Sequence, residues 1–183
     1  MKFIQHLFNT VGVVAIALLL TGKAHAQPTP GKEEIVIELP ADYRWKQSRV
    51  RKDTKSIRES VFTVAGRHAA TSPVKSVRVT TIDRRYYPIS SVSAPTDKLN
   101  YLRTSCPEAQ LNILERKMVD TRSSVLFSIQ SEEAGNCGET VFLSYAAEGP
   151  TAYHTIELEI EKSESTTEDI AQWSKILLAS VIQ

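Results

Sequence analysis

Apolar and polar positions along this 183-residue chain change period from one region to the next. Residues 11–20 form an apolar run broken only by Gly12. It is too short for a bilayer-spanning helix, which needs about 20 such residues. From Ile35 the period becomes two. Ile35, Ile37 and Leu39 alternate with Val36 and Glu38 and stop at Pro40, which has no N–H to offer a ladder. Val61 to Val64 and Val74 to Ile82 are β-rich runs, and Val125, Phe127 and Ile129 alternate with Ser128 and Gln130. Val141, Leu143 and Tyr145 repeat that pattern. The sharpest alternation sets His154, Ile156, Leu158 and Ile160 against Thr155, Glu157, Glu159 and Glu161, predicting a strand with one buried and one wet face. Turn signals at 120–123, 134–138 and 148–151 separate these runs.

The period becomes helical in two places. Thr96 or Asp97 can cap a short helix with Leu99, Leu102 and Cys106 on one face. Thr166 or Thr167 can cap a terminal helix with Glu168 and Asp169 in its first turn, where negative charge suits the dipole. Its apolar stripe is Ile170, Trp173, Ile176, Leu177 and Val181. Hairpin-linked strands with such helices predict an α+β fold: a single antiparallel sheet covered on one face by helices, ending in an amphipathic C-terminal helix. The pattern assigns no element to residues 44–58.

The opening residues place this domain. Lys2 and His6 precede the apolar run, and Ala24-His25-Ala26 supplies a small-x-small cleavage pattern. The expectation is a signal peptide at 1–26, a flexible arm at 27–32 holding Pro28, Pro30 and Gly31, and one domain at 33–183. The product would be periplasmic or secreted and not membrane-spanning. Absence of Cys after the run argues against a lipid anchor. In an oxidising compartment the isolated pair Cys106 and Cys137 is expected to form a disulfide.

Charge alters the picture locally. Lys plus Arg number 22 and Asp plus Glu 21, so overall charge predicts no nucleic-acid partner. Yet Arg44, Lys46, Arg49, Arg51, Lys52, Lys55 and Arg58 crowd one stretch against the single acid Asp53, while acids dominate the C-terminal half. This basic patch is either a solvated face or a grip for an unknown protein or an anionic envelope component.

Candidate chemistry is sparse. Cys137, His154 and Glu157 can be written as a triad, but strand alternation turns Glu157 away from His154. Ser72 and Lys75 match Ser-x-x-Lys, with Pro73 favouring a loop over the helical turn that the chemistry needs. After processing the His residues are His68 and His154, and no Gly-rich phosphate loop occurs, so neither a metal nor a cofactor is predicted. The row Glu157, Glu159 and Glu161 reads as a solvated face.

Cys106-Pro107, Cys137, Gly149 with Tyr153 on a strand, and Trp173 in the last helix together resemble a group of small exported bacterial proteins of uncharacterised function. The order of elements is similar to the PsbP/Mog1-type α/β sandwich. The resemblance covers the C-terminal half and implies a fold but no activity. The expected function is therefore an exported, non-catalytic binding or inhibitory protein of the immunity type in the bacterial envelope. One alternative is a carrier holding a small apolar or lipid-like ligand beneath Trp173. Another is a hydrolase, which would be revealed by His68 or His154 in a cleft beside hydroxyl or carboxylate groups.

Overall fold

The computed structural model describes residues 33–48, 56–69, 72–131 and 139–183. They form β1 (Ile35–Val36), β2 (Arg44–Ser48), β3 (Ile57–Ala65), β4 (Val74–Asp83), α1 (Ala94–Arg103), β5 (Gln110–Val119), β6 (Arg122–Gln130), β7 (Thr140–Glu148), β8 (Ala152–Glu161), α2 (Thr167–Leu178) and β9 (Val181–Ile182). Seven strands make an antiparallel sheet in the order β2-β3-β4-β8-β7-β6-β5, and β1 pairs with β9 in a second, two-stranded sheet. Two meanders, β2 to β4 and β5 to β8, thus meet where β4 pairs with β8.

The predicted single sheet covered on one face is corrected on both counts. There are two sheets, the described chain is mostly β, and its two short helices lie on opposite faces of the large sheet. On the α2 face, Val77, Leu126, Val141, Leu143, Ile156, Leu158 and Ile160 pack with Trp173 and Leu177. On the α1 face, Val125, Phe127, Ile129, Ala146 and Tyr153 pack with Ala94 and Leu99. The physical reason is visible in β6, where Val125, Leu126 and Phe127 are consecutive and all buried. Because successive side chains point to opposite faces, such a run needs cover on both sides.

Helix α2 begins as its sequence predicts. Asp169 N–H donates to Thr166 Oγ1 at 3.1 Å, while Thr166 N–H donates to Asp169 Oδ2 at 2.8 Å, a complete capping box. Helix α1 starts earlier than the predicted Thr96 or Asp97, at Ala94 with Pro95 in its first turn, and Ser93 gives it no side-chain cap. Val181 is not on the helical stripe: α2 stops at Leu178, and Val181 is exposed in β9 opposite Val36. The unassigned basic stretch contributes edge strand β2. The opposite edge, β5, carries a register shift between Ile113 and Glu115, a bulge of the kind that discourages edge-to-edge pairing.

Candidate functional site

Helix α2 lies over β6 and β7, so it covers only part of its face. Over β3 and β4 the cover is the N-terminal segment, residues 33–39, which crosses the sheet as a strap. The strap is tied by its backbone at Glu34. Glu34 N–H donates to Gln183 O at 3.0 Å, and Gln183 N–H returns the bond to Glu34 O at 2.9 Å. Arg58, on β3, donates to Glu34 Oε1 at 2.6 Å and also to the Glu33 carbonyl.

The strongest tie is the Glu33 side chain. Its Oε2 accepts Thr151 N–H and Thr151 Oγ1–H, each at 2.8 Å, and its Oε1 lies 2.9 Å from His154 Nε2. Gly149 makes room for it: a Cβ there would stand 1.5 Å from Glu33 Oε1, so a side chain at this turn would displace the carboxylate. His154 is 0% exposed, and its Nδ1 lies 3.0 Å from Thr81 Oγ1 on β4. Burial alone would raise the Glu33 carboxyl, but the bonds from His154 and Thr151 outweigh it and hold the group below its ordinary value. For His154 burial is the larger influence and lowers its pKa even against the pull of Glu33. The neutral ring therefore donates from Nε2 to the Glu33 carboxylate and accepts the Thr81 hydroxyl proton at Nδ1.

Beside this row the strap and the sheet enclose a cleft of about 310 Å³. Phe62, Val79 and Thr81 form its floor, and Ile35 and Ile37 of the strap form a wall. Arg58, Gln47 and Ser60 add polar groups to the lining, with Gln47 Nε2 donating to Ser60 Oγ at 3.3 Å. The volume falls at the lower end of small-molecule pockets. Trp173, by contrast, is 3% exposed in solid core and meets Trp45 edge-to-face at 6.1 Å, so the cleft is not beneath the helix where the carrier alternative placed it.

A second polar cluster sits on the α1 face. Glu148 Oε1 accepts Ser90 Oγ–H and Ser91 N–H, each at 2.8 Å, and Ser123 Oγ–H at 3.2 Å. Desolvation would raise this carboxyl, but these bonds and Arg84 hold it below its ordinary value. It fixes the loop leading into α1.

Among the predicted site residues, Arg44 and Lys46 are exposed on β2, and alternation sends them to the face opposite Arg58. Arg49, Arg51, Lys52 and Lys55 lie outside the described residues. The described members of the basic patch do not share one surface. Glu157 pairs with Lys98 at 2.9 Å on the α1 face, away from His154. Lys75 pairs with Glu161 at 2.8 Å, and the buried Ser72 hydroxyl donates to Val74 O at 2.9 Å, so this serine and lysine are separately engaged. Cys106 is buried on the α1 face and is not free; its expected partner Cys137 lies outside the described residues. The side chain of His68 also lies outside them. Sequence reasoning missed Glu33, Thr81 and the role of Gly149. Only the last carried a signal, a Gly-Pro turn preceding the strand of His154.

Neither the family models nor the curated proteins compared with this sequence give a match. Among solved structures, cyanobacterial PsbP (CyanoP) from Synechocystis sp. PCC 6803 superposes with a TM-score of 0.52 at 8% identity, over 88% of this chain and 100% of its own. The chain therefore has a PsbP-like fold. A Pseudomonas aeruginosa protein of unknown function, PA94, superposes with a TM-score of 0.38 at 13% identity, over 74% of this chain and 94% of its own. That level does not establish a common fold. Among the described residues no helix is long and apolar enough to cross a membrane.

Proposed function

We propose that this chain is an exported, non-catalytic binding protein that holds a small amphipathic ligand in the cleft between strap and sheet. The observation that carries the reading is the cleft itself: about 310 Å³ lined both by apolar Ile35, Ile37, Phe62 and Val79 and by polar Gln47, Arg58, Ser60 and Thr81. Such a mixed lining suits a ligand with an apolar body and a hydrogen-bonding head. Export rests on the amino-terminal pattern, with the product expected in the periplasm or outside the cell.

The row Thr81, His154, Glu33 has the order hydroxyl, imidazole, carboxylate, and Thr81 borders the cleft, which favours the hydrolase alternative. Two facts weigh more. His154 is 0% exposed, so its ring cannot reach the leaving group of a substrate to return a proton. Thr81 lies mid-strand between β3 and β8, where neighbouring amides serve the ladder and offer no pair of N–H groups to an oxyanion. The row serves as a fastening for the strap.

The test is titration of the purified mature protein with the amphipathic dye 1-anilinonaphthalene-8-sulfonate. Saturable fluorescence gain near one site per chain is expected, together with its loss in Ser60→Phe, which fills the cleft from β3 at unchanged melting temperature. Non-saturable gain, or equal gain in Ser60→Phe, would overturn the reading.

A further inference from the structure

Among the described residues, one end of the large sheet gathers a group of exposed large apolar side chains. There β4 ends at Asp83, β7 ends at Glu148, β8 begins at Ala152, and the β5–β6 hairpin turns between Val119 and Arg122. The loop from β4 to α1 runs along this end, since Arg84 N–H bonds Thr151 O, Ser90 bonds Glu148, and Ser91 bonds Ser123. Five of the nine exposed large hydrophobic side chains among the described residues stand here: Met118 at 72%, Val119 at 64%, Tyr86 at 57%, Val92 at 53% and Tyr87 at 45%. Isolated exposed apolar residues are ordinary, but their concentration at one end is not.

The same end is cationic. Arg84, Arg85, Arg116, Lys117 and Arg122 stand against Asp83, Glu115, Asp120 and Glu148, and Arg84 lies 3.7 Å from Glu148 Oε2. Asp83 is occupied by Arg85 at 2.6 Å and Glu115 by Lys117 at 2.5 Å. Glu34 and Arg58, at this end of the α2 face, neutralise each other at 2.6 Å. With those pairs set aside, Arg116 and Arg122 against Asp120 leave a small positive excess beside the apolar tip.

We infer that this end is a docking surface for an anionic lipid bilayer, with Met118, Val119 and Val92 entering the interface, Tyr86 and Tyr87 at headgroup level, and Arg116 and Arg122 on lipid phosphates. Shape decides between bilayer and protein. The apolar groups project from a hairpin tip and a loop, with only a hollow of about 170 Å³ beside Val92 and Met118. A protein partner is anchored in well-packed, fully desolvated pockets, whereas a bilayer interface yields to a protrusion and favours tyrosine and cations. The surface is separate from the cleft and does not rest on it.

The test is co-sedimentation of the mature protein with vesicles of phosphatidylcholine alone and of phosphatidylcholine with about one-third phosphatidylglycerol. Expected is binding to the anionic vesicles that weakens with salt. Binding should fall roughly thirtyfold in Arg116→Gln/Arg122→Gln, from about 1 kcal/mol per cation at a membrane surface. It should fall by a comparable factor in Met118→Ser/Val119→Ser. Tyr101→Ser and Leu114→Ser, exposed elsewhere, should bind as wild type. Because all four tip residues are exposed, circular dichroism should show intact folds. No sedimentation with anionic vesicles, equal binding to both vesicle types, or binding unaffected by either tip variant would overturn the inference. So would a tip that binds only a protein from the envelope.

Discussion

The two faces of the large sheet are closed by different means. On the α1 face a helix, a loop pinned by Glu148 and the buried Cys106 leave a continuous core from Ala94 to Ile129. On the α2 face a helix closes only part, and the rest is shut by a strap held through Glu33, Arg58 and a short two-stranded ladder. Both faces bury a carboxylate at the same end of the sheet, each kept below its ordinary pKa. Glu148 gathers hydroxyls and an amide, none of which titrates in the neutral range. Glu33 faces an imidazole, which does. One face is therefore built for permanence, and the other closes over a cleft with a fastening that responds to conditions.

Breaking the permanent face should have the largest effects. Native protein is expected to resist alkylation at Cys106 and Cys137 until reduced, and reduction should cost about 3–4 kcal/mol by the chain-entropy argument, measured by urea unfolding with and without reductant. Thiols that alkylate freely in the folded protein would remove this covalent asymmetry. Glu148→Ala strands Ser90, Ser91 and Ser123 without their shared acceptor and should cost about 3 kcal/mol, with dye binding in the cleft preserved. Loss of the cleft in that variant would mean that the faces are not independent.

Smaller effects should come from the strap. Gly149→Ala drives a Cβ into Glu33 and should cost about 1–2 kcal/mol, because only a side chain has to move. Its distinctive sign is loss of hydrogen-exchange protection at the Glu34 and Gln183 amides while β6 and β7 remain protected. Unchanged exchange there would show that Glu33 does not hold the strap.

The smallest effect separates the faces by pH. His154 has a folded pKa below its ordinary 6.5, so as pH falls the unfolded chain takes up this proton first and stability drops from about 6.5 downward. Glu33 and Glu148, both lowered, contribute stability above their ordinary 4.5 and lose it only as pH falls below that value. Between pH 6.5 and 5, wild type should thus lose on the order of 1 kcal/mol relative to His154→Phe, which keeps His68. Parallel curves for the two proteins would place the titration elsewhere.

Much of the framework was legible along the chain because it depends on local periodicity and local chemistry. Alternation placed His154, Ile156, Leu158 and Ile160 on one buried face, and Thr166 with Asp169 marked the start of α2. The fold class was misread because Val125, Leu126 and Phe127 were counted as half of an alternation, although consecutive apolar residues in a strand require cover on both sides. Edge strand β2 was not legible at all, since an exposed edge asks little of its side chains beyond Trp45.

The candidate site was almost wholly illegible. Glu33 meets His154 across 121 positions and Thr81 meets it across 73, separations at which no local pattern can couple residues. By itself the sequence determined where most strands and the terminal helix form, that His154, Ile156, Leu158 and Ile160 share a buried side of β8, and that the amino end carries an export pattern. Only the tertiary structure decided which charges meet, that Gly149 makes room for a carboxylate, and that a strap leaves a cleft over β3 and β4. Periodicity is a property of neighbours in the chain, whereas a site is made by strand order, and β4 reaches β8 only after two meanders have joined.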